Sequence, residues 1–202
     1  MKKPSRSFLV TMLSLAIPVA LQNLLFSSFT LIDTLMIGAL GDTPLAAVGM
    51  AGKWSWFLNI VLFGCTSGAA VFIAQYFGAG DDYMTRRSIA NSAYIMFVSA
   101  LIMGLTAFFL APTALSLMKT PPDIIEDAII YMKMSALGVP LVAVYNYSSS
   151  MLRALGDSKT PLYFLIISCI INVILDIVFI QSFHMNVFGA ALATIISQII
   201  SG

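Results

Sequence analysis

Two polar side chains four residues apart, Asn172 and Asp176, interrupt an otherwise apolar run from Thr160 to Ser182. At ~1.5 Å rise per residue such a run crosses ~30 Å of hydrocarbon as a helix, which places the carboxylate inside a membrane. Residues at i and i+4 share a helix face, so the amide and the carboxylate point the same way while Ile, Val and Phe cover the rest. A charge at that depth costs about 2.5–3.5 kcal/mol on insertion scales and is characteristic of an ion or proton pathway. A second carboxylate, Asp33, stands near the end of another apolar run. Two carboxylates sharing a low-dielectric site cannot both ionise cheaply, so the pair is suited to hold and release a proton. Na+ could take the same oxygens, with Asn172 and Thr194 completing its shell, and the residue types leave both ions open.

The elements that must position these groups follow from composition. Hydrophobic residues make up 59% of the chain and charged ones 9%, with a mean hydropathy of +0.96. A soluble domain carries roughly a quarter charged residues. The chain is therefore read as an all-α, polytopic membrane protein, one six-transmembrane-helix bundle over residues 1–202. The predicted helices are about 8–39, 45–77, 88–110, 124–152, 160–182 and 187–202, the last short of the ~20 residues a span needs. The first run is longer than a signal-peptide core of ~7–15 residues, so it reads as an uncleaved helix. Pro18, in its interior, removes a backbone donor and predicts a bend. Lys53 and Trp54 fit an interfacial anchor, and Cys65 and Cys169 fit small buried hydrophobes rather than a disulfide or metal pair.

Basic residues set the orientation. Lys2, Lys3, Arg6, Arg86, Arg87, Arg153 and Lys159 fall on one side of this topology and Lys119 alone lies in a loop on the other. The positive-inside rule places the first side, and the N-terminus, in the cytoplasm of a cell inner (plasma) membrane. The same residues suit contact with membrane lipids through their phosphates. On this topology Asp33, Tyr131, Asp176 and Thr194 all come within roughly 10 Å of the outer boundary, close enough to meet in one outward-half cavity. The alternative is that each satisfies itself alone, by snorkelling or by bonding a carbonyl. No nucleotide-binding loop is present and no nucleophile stands beside a base, so neither ATP coupling nor enzyme action is expected. His184, in an outer turn, reads as solvated. No cofactor, no metal beyond a possible Na+ and no nucleic-acid partner are expected.

Several stretches taken together resemble the N-terminal half of the multidrug and toxic compound extrusion (MATE) transporter family, in its DinF-type branch. They are Ile32-Asp-Thr-Leu-Met-Ile-Gly38 with Leu45-Ala-Ala-Val-Gly49, Gln75-Tyr-Phe-Gly-Ala-Gly-Asp81, Arg153-Ala-Leu-Gly-Asp-Ser-Lys-Thr-Pro161 and Gly189-Ala-Ala-Leu-Ala-Thr194. The resemblance implies a cation or proton site at Asp33, Asn172, Asp176 and Thr194, with Tyr131 matching a helix 4 tyrosine and Pro18 a bending proline. It implies secondary antiport, an H+ or Na+ gradient driving export of a small amphipathic, often cationic substrate. Family members have twelve helices in two lobes, so it also implies a C-terminal lobe missing from this sequence. A lipid or lipid-linked oligosaccharide flippase of the same superfamily is one alternative, and a non-transporting membrane scaffold subunit is another.

The topology is open to test by cysteine accessibility. A membrane-impermeant thiol reagent added outside should modify Thr43→Cys and leave Ser158→Cys untouched; the reverse pattern would invert the bundle.

Overall fold

The computed structural model describes residues 6–183 and 185–201, so Lys2, Lys3 and His184 lie outside the described residues. Its elements are α1 (Arg6–Gly38), α2 (Asp42–Gly78), α3 (Asp82–Leu117), α4 (Ile125–Ala154), α5 (Lys159–Asp176), a π-helix (Ile177–Ser182) and α6 (Asn186–Ser201). Each of the first five spans is long and apolar enough to cross a membrane, and α6 is a shorter apolar helix. Helices are the economical solution here because each satisfies its own backbone where no water can.

Local chemistry sets the boundaries. The Asp81 carboxylate accepts from the Met84 N–H at 2.9 Å, and this N-cap starts α3 at Asp82, six residues before the predicted start at 88. The helix then runs through Pro112 to Leu117, where a break at 110 was expected. Between α4 and α5, Gly156 takes φ 93°, a left-handed conformation that favours glycine. Beside it the Asp157 carboxylate accepts from the Thr160 hydroxyl at 2.6 Å and from the Lys159 and Thr160 N–H groups at 3.0 Å each, which starts α5. These bonds, that of the Thr160 side chain foremost, hold the Asp157 carboxyl below its usual range. Its contribution to stability is therefore present above the ordinary carboxylate range and fades as pH falls through the lowered value.

α4 is the central element, packing on α2, α3 and α6, while α1 lies chiefly against α5. Two apolar clusters join α2, α3 and α4. One holds Ala47, Ala51, Ala111, Leu115, Ala128 and Met132; the other holds Leu62, Met96, Ala100, Ala107, Ala136 and Ala143. Alanine at so many facing positions lets the backbones approach closely, the usual source of packing energy between helices in lipid. A separate, smaller cluster ties α1 to the end of the α5 span and to α6 through Ile37, Ile180 and Ala190. The bundle thus has a tight α2–α3–α4 wedge and a looser α1–α5–α6 group, joined where α4 meets α6.

Three features depart from the expectations. Trp54 is half-buried and packs against both wedge clusters instead of anchoring at an interface. Cys65 is exposed on α2, whereas Cys169 is buried. The predicted 160–182 helix changes register after Asp176 into the π-helix; three of the four residues Ile177–Ile180 are β-branched, which weakens the α geometry. Along the C-terminal half of α1, the hydroxyls of Ser28, Thr30 and Thr34 donate back to the carbonyls of Leu24, Phe26 and Thr30 at 2.9, 3.0 and 2.6 Å.

Gly104 lets α3 come close to α4: a Cβ there would meet the Ala136 carbonyl oxygen at 2.8 Å. Gly104→Ala should lower stability by about 1–3 kcal/mol in thermal unfolding of the detergent-solubilised protein. Gly64→Ala, with nothing within 4 Å, should be neutral or slightly stabilising.

Candidate functional site

Two cavities open between the wedge and the α1–α5–α6 group. The first, of about 160 Å³, is lined among others by Asp33 and Thr30 of α1, Tyr145 of α4, Asn172 and Ser168 of α5, and Thr194 of α6. The second, of about 300 Å³, is lined by Asp33 and Thr194 again together with Asn59 of α2, and Tyr131 and Ser135 of α4. Asp33, Thr194, Thr30, Phe26 and Gln198 belong to both linings, so α1 and α6 form the partition between them.

Asp176 lines neither cavity. It is fully buried, at 0% exposure, and neither carboxylate oxygen has a hydrogen-bond partner. One oxygen of Asp33 and the side-chain nitrogen of Asn172 are likewise buried without a partner. The two carboxylates lie near enough for their charges to act on one another, and both act on the Tyr131 hydroxyl, which pairs with Ser135. The unpartnered atoms are thus three carboxylate oxygens, which accept, and one amide nitrogen, which donates. A buried acceptor without a donor is costly, and a proton or a small cation between the carboxylates would remove that cost. The Thr194 hydroxyl donates to the Ala190 carbonyl at 3.0 Å, which leaves its oxygen lone pairs for a cation.

Of the residues singled out in the sequence, Asp33, Asn172 and Thr194 meet at one cavity, Tyr131 joins Asp33 and Thr194 at the other, and Asp176 is buried and lines neither. Pro18 is not part of the cluster. It is buried in α1, fifteen residues before Asp33, or roughly 22 Å along the helix at ~1.5 Å per residue. The helix assignment continues through it without a break.

Sequence reasoning missed several polar groups of the linings. Ser55 with Asn59, Tyr131 with Ser135, Ser168 with Asn172, and Thr194 with Gln198 are each four residues apart, so each pair presents one polar helix face. That recurrence was the available signal. Ser168 also bridges helices, donating to the Ser197 carbonyl at 2.8 Å. Gln22 had no local signal at all. It accepts from Arg153 Nη1 at 2.9 Å and donates to the Ser158 carbonyl at 3.3 Å, tying α1 to the end of α4 and the turn after it.

Comparison with known proteins gives the chain its relatives. A family profile described as MatE matches residues 18–178. The chain is 36% identical over 186 residues to a probable multidrug resistance protein, YpnP, of Bacillus subtilis, covering 91% of this chain and 41% of that protein. It is 30% identical over 200 residues to the probable multidrug resistance protein NorM of Thermotoga maritima, covering 94% and 42%. A crystal structure of MATE in the bent conformation superposes with a TM-score of 0.89 at 23% identity, over 95% of this chain and 43% of that one. The chain therefore spans about two fifths of the length of these relatives.

The lack of partners at Asp176 has a measurable consequence. Asp176→Val, only slightly larger and without a polar atom, should raise thermal stability by on the order of 1–3 kcal/mol in detergent. A loss of stability would show that the carboxylate is held by a structural partner.

Proposed function

The chain belongs to the MatE family, and from that premise we propose that its six-helix bundle is the ion-handling lobe of a secondary antiporter exporting amphipathic or cationic compounds in exchange for H+ or Na+. The protein is a multi-pass membrane protein of a transporter family rather than an enzyme family. The observation that carries the reading is the fully buried Asp176 with both oxygens unpartnered, beside an Asp33 that faces two cavities. A site built only for stability would pair such a carboxylate or replace it by a hydrophobe.

In this reading Asp33 and Asp176 are the groups that take up and release the coupling ion. Asn172 and Thr194 supply neutral polar atoms around it, and Tyr131 sits where its hydroxyl senses both charges. Pro18 lets the far half of α1 change its angle without breaking contacts near Asp33. The N-terminus is cytoplasmic, so the cavities open towards the outside, and a C-terminal lobe completes the substrate path. Relatives named as multidrug resistance proteins favour drug export over lipid flipping.

Ion-coupled efflux in the complete protein tests this. Export of a fluorescent cation from vesicles should be driven by an imposed pH or Na+ gradient and abolished by Asp33→Asn and by Asp176→Asn, with abundance unchanged. Asn172→Ala, which removes a hydrogen-bonding group worth about 1 kcal/mol, and Thr194→Ala should each reduce the rate only severalfold. Ser182→Ala should be silent. Uphill export at the wild-type rate in both aspartate variants would reduce the cluster to a structural feature and leave the scaffold reading standing.

A further inference from the structure

A third cavity, of about 220 Å³, lies at the end of the bundle that carries Arg153, walled by Ser148, Ser149 and Leu152 of α4, Pro161 and Phe164 of α5, and Ile200 of α6. Its remaining wall is Tyr145, and Tyr145 also lines the cavity that holds Asp33, Asn172 and Thr194. No other described residue belongs to both linings. One aromatic side chain thus separates a chamber at the Arg153 end from the cavity where the unpartnered polar groups gather.

The way Tyr145 is held bears on what it can do. Its hydroxyl pairs with Ser149, one turn along the same helix, and feels the charge of Arg153 two turns along. Arg153 is itself committed, to Gln22 and, through Nη2 at 3.1 Å, to the Ser150 hydroxyl. A ring fastened to its own helix by one hydrogen bond can change rotamer without parting two helices, on the timescale of side-chain motion. Other residues tie the neighbouring helices together: Gln22 to the Ser158 carbonyl joins α1 to the turn before α5, and Ser168 to the Ser197 carbonyl joins α5 to α6. The moving part and the rigid frame are therefore different residues.

We propose that the 220 Å³ cavity is an access chamber and that Tyr145 is the internal gate between it and the Asp33 cavity. The proposal rests on the transporter reading for its purpose, and it adds a route to the Asp33 cavity that the outward-half site lacks. The chamber's lining sets its ligand class: two aromatic rings, two serine hydroxyls, and no acid or base among the lining residues. It accepts an uncharged, ring-bearing molecule, or the ring-bearing portion of an amphipath, that can bond a hydroxyl.

Cys169 is a native reporter, since it is buried and lines the Asp33 cavity but not the chamber. In the complete protein, with Cys65 and any further cysteine outside residues 1–202 replaced by Ser, a small membrane-impermeant trimethylammonium methanethiosulfonate is applied to sealed vesicles from one side. Lys159→Cys, exposed beside the chamber, identifies the side. From that side Ser148→Cys should react in every background, and 2-naphthol should slow its reaction severalfold while naphthalenesulfonate does not. Cys169 should react slowly when Tyr145 is present, at least tenfold faster in Tyr145→Ala, and at an intermediate rate in Tyr145→Phe, which keeps the ring but not the hydroxyl. Equal Cys169 rates in all three proteins would overturn the gate, as would a wild-type Cys169 rate matching that of Ser148→Cys. Protection by the charged naphthalene as strong as by the neutral one would overturn the ligand class. These rates need no ion gradient, so a failure of the aspartate variants to abolish efflux would sink the transport reading while leaving the labelling pattern to judge the gate.

Discussion

Everything in this bundle follows from one constraint: where lipid replaces water, a polar atom must find its partner inside the protein. The backbone does so by helix formation. Hydroxyls do so by donating to carbonyls one turn back, as Thr66 does to Leu62 at 2.9 Å, or across to a neighbouring helix, as Tyr147 does to the Ile89 carbonyl at 2.6 Å. After those economies a remainder of unmet polar atoms is left, donors and acceptors alike, and its charged members, Asp33 and Asp176, fall at the junction between the wedge and the α1–α5–α6 group. Charge makes that remainder different in kind from a lone hydroxyl or indole, because a carboxylate can be satisfied by a mobile ion.

The two halves of the bundle differ in how they are built. In the wedge, facing alanines and the glycine at 104 bring α3 against α4 with little side-chain freedom to lose. The α1–α5–α6 group has a smaller core and carries the π-helix and the unpartnered carboxylates. A rigid body beside a deformable one is what a site needs if ion binding is to alter geometry, since bistable packing converts a local change of charge into a displacement. The π-helix begins at the residue after Asp176, so any strain at that carboxylate falls on the span's least regular turn.

Much of this was legible in the sequence because a carboxylate or an amide in an apolar run is a loud signal. Asp33, Asn172 and Asp176 stand out by residue type alone, and helix periodicity gave the face shared by the last two. Depth along the helices suggested that Tyr131 and Thr194 belong near Asp33, and both line a cavity with it. Rotations and neighbours were not legible. Sequence could not say that Asp176 would be buried outside the cavities that Asp33 lines, that Tyr145 would line two cavities, or that Gln22 would meet Arg153 across 131 positions. It misjudged Trp54 and Cys65 for the same reason, since exposure depends on which face a neighbouring helix covers. Serine and threonine carry little information in such a chain because each can satisfy itself on its own helix.

The three hydroxyls that bond back along α1 have a mechanical meaning. A carbonyl that accepts both an amide and a hydroxyl holds its amide less tightly, and helices carrying such bonds bend more readily. Ser28, Thr30 and Thr34 place this softening around Asp33, more than two turns beyond Pro18. Helix α1 is then better pictured as a tapered spring than as two rods on a pin. Its flexural stiffness is lowest over a distributed length that contains the ionisable group, so curvature can vary in degree there and elastic energy can be taken up in small steps.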